Sequence, residues 1–378
     1  MSNLSVNTIT DASGGSTASI NGLTPQASNM QPFNRIINGA MTIDQRNAGA
    51  AVTVSDQYTL DRWSAYENND GAFTVQRSTT APTGFSNSLF ATVTTADSSL
   101  TTNQQTIVCR QWIEAANMVG LAWGTASAKT VTLSFWVRGS VTGTYGITIS
   151  NSANDVVYAA TYTISAANTF EYKTITIPGS TSGTWPTDNG RGMIVTWSLG
   201  AGPSVTVSSN NSWISSPGSS ALYAAVGQTN VMATLNATWY ITGVQLEAGS
   251  TASPFAHENY GDTLQKCQRY FQVVKGIDAS NGYTRIGYGP CSGATAGIAQ
   301  YKPFVPFRAN PTYTTSGNFA VYDGATVIAV TSILADGATA PYLVIIGWTC
   351  ASGGQSTRAY ELITHNDYDA KFFFNAEL

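Results

Sequence analysis

Val131-Thr-Leu-Ser-Phe-Trp-Val137 changes character at every residue. In an extended chain successive side chains point to opposite faces. Val131, Leu133, Phe135 and Val137 therefore share one side, and Thr132, Ser134 and Trp136 the other. This is the pattern of a half-buried antiparallel strand. Tyr145, Ile147 and Ile149 repeat it, as do Met193, Val195, Trp197 and Leu199. Turn signals separate such runs: Gly139-Ser140, Pro178-Gly179, Asn189-Gly190, Gly200-Ala-Gly-Pro203 and Pro217-Gly218. Many short strands at this spacing predict an all-β sandwich. A segment of this size with no helical half suits a jelly roll, expected over residues 33–258.

The flanks read differently. Residues 1–32 are of low complexity, with Asp11-Ala-Ser-Gly-Gly-Ser16, Asn21-Gly22 and only isolated apolar residues such as Leu4, Val6, Ile9, Ile20 and Leu23. Such a segment is either an extended arm that orders against a partner or a plain tail. After the sandwich, Asp262 with Gln265 three residues on suggests a capping box, followed by Leu264, Cys267, Phe271 and Val274 at helical spacing. A helix over 262–274 is expected, within a linking segment 259–275. Residues 276–378 return to strand patterns, and Asp323-Gly324 between Phe319-Ala-Val-Tyr322 and Thr326-Val-Ile328 signals a hairpin. A second, small β-sandwich is expected there as a tip domain. Glu114–Ala122 is expected to be a short helical connection.

Composition narrows the function classes. The 378 residues carry 17 Lys+Arg, 21 Asp+Glu and a net charge of −4, with no basic cluster, so neither nucleic acid nor an anionic membrane is an expected partner. Charged residues make up 10% of the chain, against about 25% in an average soluble domain. The apolar run Leu343-Val344-Ile345-Ile346 is far too short to span a bilayer, and the N-terminus lacks the features of a signal peptide. Cys109, Cys267, Cys291 and Cys350 are scattered without a C-x-x-C pair, which suits buried thiols or a single disulfide.

Catalytic signatures are not found. The two histidines, His257 and His365, belong to no zinc pattern, and neither a P-loop nor a nucleophile elbow occurs. Glu114, Glu171, Glu247 and Glu258 have no context that marks them as a glycosidase pair. Asn366-Asp-Tyr-Asp369 offers oxygen ligands but lacks the glycine and distal glutamate of a calcium loop, and suits a turn. No enzyme, cofactor or metal is expected. The remaining signal is aromatic: 9 Trp, 18 Tyr and 14 Phe. Sugars present apolar C–H faces ringed by hydroxyls, so they need a flat ring with polar neighbours. Trp185-Pro-Thr-Asp-Asn-Gly-Arg191 supplies Trp185, Asp188, Asn189 and Arg191 in one loop, and Trp348 is a further candidate contact. The structural alternative for Trp185 is a plug at the end of the sandwich. Trp136 and Arg138 face away from the Phe135 side and are expected to stack together or lie under a neighbouring subunit.

Three stretches resemble tail-fibre and related structural proteins of tailed, marine-type bacteriophages. Asn34-Arg-Ile-Ile-Asn-Gly39, Gln45-Arg46 and Tyr58-Thr-Leu-Asp-Arg-Trp63 are similar to the opening of the carbohydrate-binding-module-like jelly roll in that family, with Asn47 replacing the usual glycine. Val131–Arg138 is similar to a strand of the same domain. Thr242-Gly-Val-Gln-Leu-Glu-Ala-Gly-Ser-Thr-Ala-Ser-Pro-Phe255 with Cys267-Gln-Arg-Tyr-Phe271 resembles its closing strand and exit helix. Phe373-Phe-Asn-Ala-Glu-Leu378 resembles the terminal strand of the tip domain, and the opening Ser2–Ala12 looks like the start of such fibres. The resemblance implies a virion component, commonly a homotrimer. Residues 1–32 would attach it to other tail or capsid proteins, with the tip facing outward toward a host surface polysaccharide. It also implies structural roles for Asn34, Asn38, Gly39, Asp61, Arg62, Trp63, Glu247, Cys267, Arg269 and Tyr270. Asp61-Arg62-Trp63 is expected to fix a strand end, and Glu247 and Arg269 to pair with backbone or each other. A receptor-binding fibre, a non-adhesive head fibre, decoration or tail adaptor, and a glycan depolymerase all remain open, in that order.

Overall fold

The computed structural model describes residues 34–216, 222–276, 283–335 and 339–378. The arm at 1–32 and the Pro217-Gly218 turn lie outside the described residues. The chain divides into two compact units, Met1–Glu258 and Asn259–Leu378.

The first unit is an all-β sandwich of jelly-roll type. One sheet has six strands in the order Val52–Thr53, Ala72–Ser78, Ser88–Thr95, Thr238–Ala248, Val131–Gly139 and Glu171–Ile177. The other has seven: Trp213–Ser215, Val156–Ile164, Gly143–Asn151, Arg191–Ala201, Gln105–Glu114, Trp63–Asn68 and Asp56–Leu60. Every pairing is antiparallel. The alternation in Val131–Val137 holds, since Val131, Leu133, Phe135 and Val137 are fully buried between the sheets. Trp197 meets Phe135 edge-on at 5.6 Å and Trp63 at 5.9 Å, which centres the core on aromatic rings. Trp112, Trp197 and Trp239 are all buried. Residues 115–121 form two 3-10 turns, as short as the helical connection expected there.

The motif residues sew the start of the unit to its end. Asn34 Oδ1 accepts from the Ile36 and Leu246 N–H groups, and Asn34 Nδ2 donates to Val244 O. Asn38 Nδ2 donates to Ile43 O at 2.8 Å and Asp61 O at 3.0 Å, and its Oδ1 accepts from Ile43 N–H at 3.0 Å. A Cβ on Gly39 would stand 2.2 Å from Val244 O, so only glycine fits beneath the closing strand. Asp61 and Arg62 form the turn between Asp56–Leu60 and Trp63–Asn68, with Arg62 in the left-handed region at φ 71°. The Asp61 carboxylate accepts from Gln45 N–H and Nε2, Arg62 Nη2 donates to Trp112 O, and Trp63 Nε1 donates to Asn38 O. Glu247 takes Ser253 N–H, Ser253 Oγ and Gln245 Nε2.

The second unit opens with a helix over Tyr260–Gln268, shorter than the span expected. Asn259, not Asp262, stands at the N-cap, and Asp262 falls in the first turn, where its charge favours the helix dipole. Phe271–Lys275 is a strand: it pairs with Lys371–Asn375, which also pairs with Thr312–Ser316. Cys267 and Tyr270 are buried, the Tyr270 carbonyl accepts Ala376 N–H, and the Arg269 carbonyl accepts Arg308 N–H. The remaining strands do not split into two sheets as in a sandwich. Arg285–Pro290, Ala296–Tyr301, Val344–Cys350, Val327–Ala335, Phe319–Tyr322 and Ala359–Thr364 close into a six-stranded barrel, because Arg285–Pro290 pairs on both sides. The hairpin at Asp323-Gly324 forms as expected, with Asp323 Oδ1 accepting from Ala325 and Thr326 N–H. Phe372 and Phe374 are fully buried, and Phe373 between them is half-buried. Tyr301 lies flat on Phe374 at 4.4 Å, and Phe319 meets Phe372 at 4.8 Å. Asp367 accepts from Asn318 and Asp369 N–H, so Asn366–Asp369 forms a hydrogen-bonded turn. All four cysteines are free and buried. Among the described residues no helix is long and apolar enough to cross a membrane.

Candidate functional site

Alternation along Arg191–Ala201 sends Ile194, Thr196 and Ser198 to the outer face of the seven-stranded sheet, yet all three are buried. Ile107, Thr148, Ser150, Val157 and Ala159 are buried as well. Much of this cover comes from the irregular stretch after Ala201. Val207 and Ala225 pack on Val157 and Ala159, Gln228 Nε2 donates to Ser198 Oγ, and Thr229 N–H donates to Thr144 O. The cover lies over the strands Gly143–Asn151 and Val156–Ile164.

Beyond it, toward Asp56–Leu60, the same face carries cations stacked on rings. Arg110 lies 5.7 Å from the Tyr66 ring centre, Arg191 4.6 Å from Trp112, and Arg46 5.0 Å from Tyr58. Register explains the grouping: Ser64 and Thr196 flank Arg110 across the sheet, and Ile194 stands opposite Trp112. Arg110 Nη2 is 2.8 Å from Asp56 Oδ1, and its Nε donates to Ser64 Oγ. Tyr223, from the covering stretch, joins this group. Burial raises its phenol pKa, and the charges of Arg110, Arg191 and Asp56 all act on it. Arg191 and Asp56 are exposed, while Tyr58, Tyr66, Arg110 and Tyr223 are half-buried. The arrangement offers rings, guanidinium groups and the exposed Asp56 carboxylate along one strip, with the buried Glu114 opposite Arg191 in register, and more positive than negative charge.

Of the sequence candidates, Arg191 belongs to this strip. Trp185 does not: it meets Trp123 at 4.8 Å and Trp213 at 5.9 Å, both edge-on, and its Nε1 donates to Ser182 O. Trp123 and Trp213 donate to Lys129 O and Pro178 O, so the three indoles form a plug with their N–H groups satisfied by loop carbonyls. Asp188 closes its own turn by accepting Gly190 N–H, and Asn189 is exposed beside it. Trp348 is no surface contact. It is 1% exposed inside the barrel, against Tyr360, where a Cβ on Gly297 would come within 2.3 Å of its ring. Tyr66, Arg110, Trp112 and Tyr223 were missed because they come from three distant segments, two strands joined by register and the irregular stretch that covers them.

The six-stranded sheet has an aromatic outer face of another kind. Phe90 stacks on Tyr240 at 4.4 Å, Arg138 lies 5.0 Å from Tyr240 and 5.8 Å from Phe170, and Trp136 meets Tyr172 at 5.3 Å. Trp136 and Arg138 thus each stack on other rings. Among carboxyls, Glu67 is raised to about 7 by burial and by the charge of Asp97, against a hydrogen bond from Phe73 N–H. Asp97 itself accepts from Asp70 and Ser99 N–H.

No family model and no curated protein matches the chain. Among solved structures it is similar to the enzymatically active domain of tailspike protein 4 of bacteriophage CBA120, with 13% identity over 57% of this chain and a TM-score of 0.31. It spans 21% of that tailspike chain. It is also similar to a putative sugar binding protein from Bacteroides thetaiotaomicron (12% identity, 57% of this chain, all of the other, TM-score 0.34). A family 11 carbohydrate-binding module from Clostridium thermocellum is similar at 14% identity over 56% of this chain and all of its own, with a TM-score of 0.26.

Proposed function

We propose that this chain is a structural component of a tailed-phage particle whose jelly roll engages an acidic polysaccharide on the host surface. The observation that carries the binding half is the strip of half-buried Tyr58, Tyr66 and Tyr223 interleaved with Arg46, Arg110 and Arg191, the last packed on buried Trp112. Rings cover the C–H faces of sugars, and guanidinium groups take carboxylates in paired hydrogen bonds. The net charge of −4 makes a locally positive strip a specific feature of this surface rather than a property of the whole chain. The virion half is supported by the resemblance of Asn34–Trp63, Val131–Arg138 and Thr242–Phe271 to phage fibre proteins. In this proposal residues 1–32 attach the chain to its tail or capsid partner, and the assembled form is a homotrimer. The binding half is tested by affinity electrophoresis through polygalacturonate, with neutral dextran as control. Retardation by polygalacturonate that weakens in Arg191→Ala and Tyr66→Ala supports it; equal mobility in both gels refutes it. Imaging of the particle tests the location.

A spacer or adaptor role is the second proposal. It is favoured by the plug formed by Trp123, Trp185 and Trp213, which ties up the one loop whose composition suited a sugar. A depolymerase is the weakest. Glu247 and Glu171 have their carboxylates taken by neighbours, Glu171 by Ser165 and Ala166 N–H and Lys173. Release of reducing ends from host polysaccharide would establish it.

A further inference from the structure

The outside of the barrel holds a cleft of about 330 Å3, within the range of about 300–1,000 Å3 typical of small-molecule sites. Tyr283, Arg285, Tyr322, Val327, Glu361 and Ile363 line it. Register places Glu361 between Tyr322 on one neighbouring strand and Tyr288 on the other. With strands spaced about 4.8 Å apart, the two tyrosine positions are roughly 10 Å from each other.

We propose that this cleft is a second binding site, for a neutral saccharide of one or two rings. Three observations select that class. First, the charges balance: Arg285 Nε is 2.7 Å from Glu361 Oε2, and nearby Asp323 is matched by Arg358 at 3.2 Å. Among the described residues the site has no excess charge to attract an acid or a base. Second, the Arg285–Glu361 pair is exposed, at 68% and 40% of the side chains, so it is weak in water. A ligand hydroxyl can accept from the guanidinium and donate to the carboxylate, replacing that contact with two of its own. Third, every strand beneath the cleft is paired on both sides, so no backbone edge is free to take an extended peptide. Recognition there must come from side chains: Tyr283 and Tyr322 for ring faces, Ile363 and Val327 for apolar contact, Arg285 and Glu361 for hydroxyls. Tyr322 is already fixed, its hydroxyl donating to Gly324 O at 2.7 Å. The proposal does not depend on the positively charged strip of the jelly roll.

Saturation-transfer NMR on the whole chain tests it, with tetrasaccharides of glucose, galactose, mannose and N-acetylglucosamine and with tetragalacturonate. At least one neutral oligomer is expected to bind, with affinity falling tenfold or more in Tyr322→Ala and in Arg285→Ala. The second variant alters an exposed side chain, so loss of binding there cannot be laid to misfolding. Arg191→Ala and Tyr66→Ala are expected to leave this binding unchanged. The proposal falls if no neutral oligomer binds, if binding survives Tyr322→Ala and Arg285→Ala, or if it is Arg191→Ala that removes it. A preference for tetragalacturonate that strengthens in Glu361→Gln overturns it too, by showing an acid site.

Discussion

Replacing Asn38 with alanine removes a side chain that satisfies three buried backbone groups at once: the Ile43 carbonyl, the Ile43 N–H and the Asp61 carbonyl. Asn38 is 3% exposed, so water does not reach these groups in the intact fold. Each group left unpaired costs about 1–3 kcal/mol, and the space vacated by the amide admits solvent, which favours the low end, about 3 kcal/mol in all. Asn38 also holds φ at 58°, a left-handed conformation that costs alanine about 1 kcal/mol more than asparagine. The expected loss is about 4 kcal/mol, confined to the first unit. Urea unfolding followed by tryptophan fluorescence reads it as a fall of roughly 1.3 M in the midpoint of that unit, for a slope near 3 kcal/mol per M. Asn38→Gly separates the two contributions: glycine accepts the positive φ, so it is expected to lose only about 3 kcal/mol. A loss below about 1 kcal/mol in Asn38→Ala would refute the view that this residue joins the opening segment to the sheet. A glycine variant less stable than the alanine one would refute the conformational part.

Gly39→Ala forces a Cβ against Val244 O and is expected to destabilise the first unit by more than 2 kcal/mol in the same assay, with the second unit unchanged. The carboxyl of Glu67, raised from 4.5 to about 7, gives stability that is complete below pH 4.5 and lost as pH rises through about 7. The whole displacement would be worth about 3 kcal/mol. With the side chain about half in water, roughly 1 kcal/mol is expected, seen as a higher melting temperature of Glu67→Gln at pH 8 but not at pH 5. Light scattering on the full chain is expected to give three times the monomer mass. If the outer face around Tyr240 and Trp136 is where copies meet, Tyr240→Asp lowers that mass, whereas a monomeric wild type removes the trimer altogether.

Much of the fold was legible because it rests on period-two alternation. Val131–Val137 and Met193–Leu199 each bury the residues their spacing selects, and Asp323-Gly324 turns where its chemistry requires. The misses share a cause. Phe271 and Val274 fit a helical spacing, but Phe271–Lys275 finds a partner in Lys371–Asn375, a strand about a hundred residues away that no local pattern announces. The barrel closes for the same reason, because Arg285–Pro290 pairs not only with the next strand, Ala296–Tyr301, but also with the distant Ala359–Thr364. On the seven-stranded sheet, Ile107-Val108-Cys109 and Val156-Val-Tyr-Ala-Ala160 are continuous apolar runs rather than alternating ones, which is how a strand covered on both faces reads. That signal was present in the chain, but nothing local identifies the stretch after Ala201 as the cover. The candidate strip was the least legible part, since Asp56, Tyr66, Arg110 and Arg191 meet only through register and Tyr223 arrives on the irregular stretch after Ala201.

The bonds from Asn34 to Val244 and Leu246 span 210 and 212 residues of sequence. A ribosome adding about 5–20 residues per second needs roughly 10–40 s to make the chain between them. Through that interval the underside of the opening segment, including Ile36, Met41 and Trp63, has no closing strand to lie beneath. The jelly roll is therefore completed from its two ends at once, late in synthesis, and its exposed apolar surface during that wait is where a chaperone or an early-folding neighbour copy would have most to contribute.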